Sequence, residues 1–245
     1  MIPVLNEAHV LKRSVEGLCA FLEANFRYDW RVVVADNGST DGTLEVAQEL
    51  SQDHPRVFHL HLRVPGRGRA LRFAWSNSEA DAVCYMDVDQ STDLRELPKL
   101  IDALYEDGCD VAAGSRMKAG AEVHRSLKRG VISRGYNVFL KLALGVGFTD
   151  AQCGFKAATR EAVQALVPRI EDESWFFDTE LLVLAERDGM KICDLPVRWS
   201  EDDDSRVKII STAWDDIKGV MRLRRALRRG AAPAAGMKAR TGGGA

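Results

Sequence analysis

Two short acidic segments carry the chemistry-bearing residue types at useful spacing. Asp36-Asn37-Gly38-Ser39-Thr40-Asp41-Gly42-Thr43 directly follows a β-branched run. A carboxylate at the carboxyl end of a strand can grip a nucleoside, since ligands of open α/β sheets bind there. Ser39 or Thr40 can cap the helix that follows; the same octapeptide also reads as a capped turn with no ligand. Some fifty residues on, Asp87-Val88-Asp89 ends a second apolar run. Alternation along an extended chain puts both carboxylates on one side. There they repel unless a cation sits between them. All-oxygen ligands suit Mg²⁺ or Mn²⁺, which also bind substrate phosphates. A lone D-x-D is otherwise a solvated acidic turn.

The cations are as suggestive. Arg67-Gly68-Arg69-Ala70-Leu71 opens a helix, where backbone N–H groups and a guanidinium suit an anion or form a solvated loop. Residues 116–141 carry seven Lys or Arg against one acid, Glu122. Arg116 and Arg129 in this run could clamp phosphate. Its apolar stretch suits a membrane interface. Cys153 has no nearby histidine and is read as a small buried thiol rather than a nucleophile.

These residues need a sheet to hold them. Short apolar runs at 31–35, 57–62, 82–86 and 111–114 read as buried parallel strands. Helical spacing fills 10–25, 40–52, 70–77 and 94–106, the last with Leu97, Leu100, Ile101 and Leu104 on one face. Strand–helix alternation predicts an α/β sheet with right-handed crossovers. Met1-Ile2-Pro3-Val4 resembles the end of a first strand whose beginning is missing. Further on, the spacing predicts helices over 160–166, 178–187 and 211–229, and a strand over 191–197. The Gly/Ala-rich tail, 230–245, is expected to be disordered.

The whole-chain balance excludes several classes. The 245 residues hold 34 Lys+Arg and 36 Asp+Glu, a formal charge of −2, which argues against a dedicated nucleic-acid binder. Five scattered cysteines form neither a zinc spacing nor a disulfide framework, and free thiols fit the cytosol. No apolar run reaches the ~18 residues of a membrane span.

Together the motifs resemble family 2 glycosyltransferases of the GT-A fold, most closely the dolichyl-phosphate (polyprenyl-phosphate) sugar synthases. Pro3-Val4-Leu5-Asn6-Glu7 is similar to the family's P-x-x-N-E opening. Asp36–Thr43 matches its nucleotide turn and Arg67-Gly68-Arg69-Ala70 its G-K-G-x-A, with arginine for lysine. Asp87-Val88-Asp89, Gly114-Ser115-Arg116 and Ser133-Arg134-Gly135-Tyr136-Asn137 match its D-x-D, G-S-R and S-R-x-x-N. Asp150-Ala151-Gln152-Cys153-Gly154-Phe155-Lys156 and Trp175–Leu182 resemble the glucosyl branch, and Pro196-Val197-Arg198-Trp199 its P-V-x-W. Asp204-Ser205-Arg206 stands where the family shows G-S-K.

The resemblance implies a GT-A mixed sheet flanked by helices over 1–210, followed by a basic amphipathic helix. It implies inverting transfer of a hexose, from UDP-glucose, to a polyprenyl monophosphate. Pro3, Glu7, Asp36, Gly38, Ser39, Arg67 and Asp87 would hold the donor. Asp87 and Asp89 would hold Mg²⁺ or Mn²⁺. Arg116, Arg129, Ser133 and Arg206 would hold the acceptor phosphate, with Asp87, Asp89, Arg116 and Arg129 catalytic. The partners implied are a nucleotide sugar, a lipid phosphate and the inner face of a membrane, reached peripherally from the cytoplasm. Competing readings are a GDP-mannose-dependent mannosyltransferase, a family 2 enzyme with a soluble or polysaccharide acceptor, and a non-catalytic membrane-associated binding protein.

Overall fold

The computed structural model describes residues 1–201 and 209–228; for 127–129 and 209–213 it describes the backbone alone. The first half alternates as the apolar periodicity dictates: β1 (Ile2–Val4), α1 (Ala8–Asn25), β2 (Val32–Asp36), α2 (Thr43–Asp53), β3 (Val57–His61), α3 (Arg67–Ser76), β4 (Ala82–Met86), α4 (Leu97–Tyr105) and β5 (Val111–Ser115). The second half is irregular: β6 (Glu122–His124), α5 (Leu127–Leu144), β7 (Phe155–Thr159), α6 (Arg160–Leu166), α7 (Phe177–Arg187), β8 (Ile192–Pro196), β9 (Arg198–Ser200) and α8 (Ile209–Arg228).

β1, β2 and β3 pair in parallel in the spatial order β1-β2-β3, and the order β4-β7-β5-β8 forms a second ladder. The two ladders meet at β1 and β4. Met1 N–H donates to the Cys84 carbonyl at 2.8 Å and Met86 N–H to the Met1 carbonyl at 3.1 Å, a parallel bonding pattern. Short as it is, β1 therefore sits mid-sheet and links the halves. β6 and β9 form a separate pair.

The structure departs from the sequence reading in four places. Neither Ser39 nor Thr40 caps α2: the helix starts only at Thr43 with Gly42 at its N-cap and no side-chain cap bond, and the Ser39 hydroxyl accepts the Asn6 N–H instead. Not all the strands are parallel: β7 runs antiparallel between β4 and β5, with Lys156 opposite both Tyr85 and Ala113. Its residues, Phe-Lys-Ala-Ala-Thr, carry only one large apolar side chain, so hydrophobicity does not announce a strand. α3 starts at Arg67, three residues earlier than the apolar spacing indicates. Cys109 and Cys193 are disulfide-bonded, with Cα atoms 6.0 Å apart across 84 residues of sequence, while Cys19, Cys84 and Cys153 are free. The pairing follows from strand neighbours: Cys193 lies opposite Ala112 in the β5–β8 ladder. No sequence spacing encodes it.

Helices cover both faces. Leu97, Leu100, Ile101 and Leu104 of α4 are buried as their spacing predicts. Burying such a leucine removes enough apolar surface to stabilise by roughly 1.5–3 kcal/mol. α7 is buried along nearly its whole length, Phe177 to Ala185, which explains its apolar run. Val220 and Leu223 of α8 belong to the same core as Phe176, Phe177 and Leu181. Among the described residues no helix is long and apolar enough to cross a membrane.

Candidate active site

The candidate side chains gather at the carboxyl ends of β2, β4 and β5, where parallel strands stop and loops diverge. On the β2 side, Asp36 is fully buried and its carboxylate meets His61 Nδ1 at 2.6 Å, its register partner on β3. Ser39 N–H donates to Asp36 Oδ1 at 3.2 Å. Gly38 takes a left-handed φ of 81°, and a Cβ there would press the Pro65 ring at 3.1 Å. The Gly66 N–H donates to Asn37 Oδ1 at 2.6 Å and ties this turn to the loop entering α3.

The opening Pro3–Glu7 segment is laced to this turn. Asn6 N–H donates to Ser39 Oγ (2.9 Å), Glu7 N–H to Thr43 Oγ1 (2.8 Å) and Thr40 N–H to Asn6 Oδ1 (2.8 Å). Pro3 lies in β1 opposite Ala35. The structure thus brings Pro3, Glu7, Asp36, Gly38 and Ser39 into one loop cluster.

On the β4 side, Asp87 sits against the loop that enters β7. Its N–H donates to the Gly154 carbonyl at 3.3 Å. A Cβ at residue 154 would lie 1.7 Å from Asp87 Oδ2, so only glycine leaves room for the carboxylate. Asp89 is exposed, and its Oδ1 accepts the Ser91 N–H at 2.9 Å. Asp87, Asp89, Ser91, Thr92, Gly154 and Trp199 line one open cleft. The two carboxylates, all-oxygen donors on one wall of that cleft, fit a hard divalent cation. Among the described residues no group of three or more His, Cys, Asp or Glu side chains is placed to hold a metal ion.

Arg67 does not reach into solvent. It is 8% exposed, donates Nη1 to Asp178 Oδ2 at 2.8 Å and Nη2 to Asp87 Oδ1 at 2.9 Å. Its guanidinium lies 4.8 Å from the ring centres of both Tyr85 and Trp175. Burial alone would lower its pKa, but Asp178, Tyr85 and Asp87 outweigh that and hold it well above the usual value. Lys156, fully buried, shares Asp178 from the other side at 3.7 Å and donates to the Cys153 carbonyl at 2.6 Å. Tyr85 Oη donates to Asp178 Oδ1. One buried carboxylate therefore holds two cations and a phenol beneath Asp87.

On the β5 side, Arg116 is clamped by fully buried Asp150. Nε reaches Oδ2 at 2.8 Å, Nη2 reaches Oδ1 at 3.0 Å, and the Arg116 N–H adds a third bond at 3.1 Å. Burial pushes the Asp150 carboxyl up, yet Arg116 more than reverses this and leaves it lowered. The Arg116 guanidinium lies 5.4 Å over Trp199, which also lines the Asp87/Asp89 cleft. Arg125 packs against Gly130, where an added Cβ would meet its Nε at 3.5 Å. Its pKa is lowered by burial and then by Arg116 and Arg134, the mark of crowded cations. Ser133 Oγ is buried with no hydrogen-bond partner among the described residues. The Arg129 side chain and Arg206 lie outside the described residues. Cys153 is fully buried and its thiol is pushed up to about 12 by that burial, so it stays protonated at neutral pH.

Sequence reasoning quoted Asp150, Lys156, Trp175 and Asp178 within motifs but gave none of them a role. Tyr85 and Asp216 it did not single out. The S-R-x-x-N segment has a structural account too. Asn137 donates to the Ser133 carbonyl (3.0 Å) and accepts the Ala151 N–H (3.0 Å), fastening α5 to the loop that carries Asp150.

Comparison with known proteins places the family and the fold. The family model described as "Glycosyl transferase family 2" matches residues 1–167. Glycosyltransferase AglD of Haloferax volcanii is 38% identical over 213 residues, covering 86% of this chain and 34% of that protein. The chain thus spans about a third of that relative's length. Dolichyl-phosphate beta-glucosyltransferase ALG5A of Trichomonas vaginalis is 32% identical over 230 residues, covering 89% of this chain and 71% of that one. Among solved structures, glucosyl-3-phosphoglycerate synthase of Mycobacterium tuberculosis in complex with uridine diphosphate superposes with a TM-score of 0.67. It shares 20% identity and covers 91% of this chain and 78% of its own. The same enzyme with Mn²⁺ and UDP-glucose gives 0.67 at 18% identity. The fold is that of the GT-A glycosyltransferases.

Proposed function

The chain belongs to glycosyl transferase family 2, and from that premise we propose that it transfers glucose from UDP-glucose to a polyprenyl or dolichyl monophosphate at a membrane surface, with inversion. The supporting observation is one of adjacency. Trp199 lines the Asp87/Asp89 cleft and also carries the Arg116 guanidinium on its ring, and Arg116 is near enough to Arg125 to lower its pKa. A site for a metal diphosphate and a site for a second phosphate thus share a wall.

Asp36 and the loops around Ser39 and Glu7 would hold the nucleoside. Asp87 and Asp89 would hold Mg²⁺ or Mn²⁺, which supplies Lewis-acid stabilisation of the departing diphosphate. Arg67, fixed by Asp178, sets the Asp87 carboxylate and adds positive charge beside it. The acceptor needs no strong base: a phosphate monoester, with a second pKa near ~6, is already a nucleophile at neutral pH. Gln90, next after Asp89, directs its amide to the Ser14 carbonyl at 2.6 Å instead. The chain's task is to hold two anions at attack distance without mutual repulsion. Arg116, Arg125 and Arg134 bring three cations together, faced by Asp150, Glu201 and Asp87, and are proposed to meet the acceptor phosphate together with Arg129, Ser133 and Arg206.

The outer helices suit a lipid acceptor. Val131, Ile132, Val138, Phe139 and Leu142 of α5 are exposed, Leu142 at 83%. Trp214, Ile217 and Met221 of α8 are exposed as well, beside Lys218, Arg224 and Arg225. An apolar stripe flanked by cations matches an interfacial helix.

The test is labelled UDP-glucose or GDP-mannose incubated with polyprenyl phosphate and Mg²⁺ or Mn²⁺, counting label that enters organic solvent. Metal-dependent label from UDP-glucose, lost in Asp89→Ala, is the expected result. Label from GDP-mannose alone moves the donor assignment. Label only on a soluble acceptor overturns the lipid reading.

A further inference from the structure

α8 lies wholly beyond the family-matched residues 1–167, yet one of its side chains enters the site's supporting shell. Asp216 is 3% exposed. Its Oδ2 accepts the Gln152 Nε2–H at 2.8 Å. The Tyr136 hydroxyl also reaches it from α5, while sharing a 3.2 Å contact with Thr179 Oγ1 on α7. Gln152 belongs to the same short loop as Asp150, which clamps Arg116, and Gly154, which abuts Asp87. Asp150 Oδ1 additionally accepts the Gln152 N–H at 3.2 Å.

We infer that α8 is a positioning element of the active site: Asp216, acting through Gln152 and Tyr136, holds the 150–154 loop in the register that sets Arg116 and Asp87. Asp216 does not touch the cleft; it acts on groups that do. Several observations support this division of labour. α8 is pinned by contacts independent of Asp216: Val220 and Leu223 are buried, Gly219 is so close to Phe176 that a Cβ would approach its ring to 2.5 Å, and Arg222 pairs with Glu180, Glu171 and Asp172. The helix therefore stays seated without the carboxylate, and Asp216 is free to tune the loop. A carboxylate facing a side-chain amide is also a costly thing to bury unless its hydrogen bonds are used.

The carboxyl is also poised to titrate. Burial, then the nearby Asp172, raise its pKa to about 7, while Gln152 and Tyr136 pull it down and Asp215 adds to the rise. The sign follows from linkage. A carboxyl with a raised folded-state pKa favours the seated arrangement fully at low pH and loses that contribution as pH rises through about 7. Wild-type protein should therefore hold the loop more loosely at pH 8 than at pH 6, whereas Asp216→Asn, which keeps an acceptor for Gln152 but cannot ionise, should not change.

This inference rests on the glycosyltransferase reading only for its kinetic arm, so the experiment has two arms. In the first, amide hydrogen exchange at Ala151 and Gln152 is measured at pH 6 and pH 8, corrected for intrinsic rates, in wild type, Asp216→Ala and Asp216→Asn. Loss of protection there in Asp216→Ala, with β2 and β5 unchanged, is expected, as is a pH step in wild type absent from Asp216→Asn. In the second arm, kcat and KM are followed by label transfer to polyprenyl phosphate. Asp216→Ala should lower kcat/KM about tenfold or more, since small misplacements of reacting groups are that costly. Asp216→Asn should restore the rate and flatten the pH profile near neutrality. Gly219→Val, which pries the helix from Phe176, should reproduce the Asp216→Ala exchange pattern. The inference is overturned if Asp216→Ala lowers the melting temperature yet leaves loop exchange, kcat and KM as in wild type. If wild type transfers nothing to the lipid phosphate, the proposed function fails while the exchange arm still decides this point.

Discussion

The two sides of the cleft are built by opposite means. On the β2 side, the loops of Pro3–Glu7 and Asp36–Thr43 hold each other with backbone N–H groups and short side chains: Ser39 Oγ, Thr43 Oγ1 and Asn6 Oδ1. Apart from the buried Asp36 carboxylate and its partner His61, these are neutral bonds at loop surfaces, each worth about 1 kcal/mol net. On the β4–β5 side, the site rests on buried charge: Arg67, Lys156, Asp178, Asp150 and Arg116 lie in the interior and neutralise one another over separations of up to 111 residues. Such groups contribute little when paired but cost heavily when one partner goes. Asp36 and His61 aside, the β2 side should therefore tolerate substitution in small steps, and the β4–β5 side should fail abruptly.

The sharpest way to break that contrast is Asp178→Ala. It strands Lys156, at 0% exposure, and the Tyr85 phenol, and leaves Arg67, at 8%, with Asp87 as its remaining carboxylate. Removing one partner of a buried ion pair costs about 3–5 kcal/mol. For a chain of this size that lowers the melting temperature on the order of 10 °C, which thermal unfolding by circular dichroism would register. A loss of only a degree or two would mean the charges relax to solvent and the network is not a unit.

Gly154→Ala separates function from stability on the same side. The added methyl would collide with Asp87 Oδ2, which must swing out of the cleft. An ångström of displacement at a reacting group costs about 10²-fold in rate. The expected outcome is that loss of transfer with donor binding weakened in the presence of Mn²⁺, measured by calorimetry with UDP. Equal activity would show that Asp87 can hold its position without this contact.

The same contrast explains what the sequence disclosed. The β2 side is local: Asp36 ends an apolar run, its turn residues follow in order and a helix comes next, so strand and turn are read from eight residues, although Gly42, not Ser39 or Thr40, stands at the N-cap. The four early strands and the apolar face of α4 were legible for the same reason. Arg67 shows where that kind of reading stops. Its residue type suggests an anion site, but its bonds go to Asp178 and Asp87, and only the fold brings Asp178 there. β7 was hidden because a strand buried on both faces by small residues lacks alternation, and its antiparallel direction places Lys156 against Tyr85. The Cys109–Cys193 bond was hidden because it depends on β8 lying beside β5. Asp216 was hidden because a carboxylate on a basic helix reads as part of a solvated face.

The gentlest test of the comparison is Ser39→Ala. Ser39 Oγ accepts the Asn6 N–H, and Asn6 holds a left-handed φ of 58°. The residue is half-buried, so water can replace the lost hydroxyl at the loop surface. Asn6 also keeps its own bond to the Thr40 N–H, which maintains the crossing of the two loops. The cost should be about 0.5 kcal/mol, at the lower end for a single hydrogen bond, and the melting temperature should fall by about 1–2 °C. The donor side of the kinetics should respond more than stability does, as a raised KM for the nucleotide sugar with kcat little changed, because a loosened turn weakens donor binding equally in the ground and transition states. A fall in kcat with KM unchanged would place Ser39 among the groups that act on the transition state, and the nucleotide side could no longer be described as a set of small, independent steps.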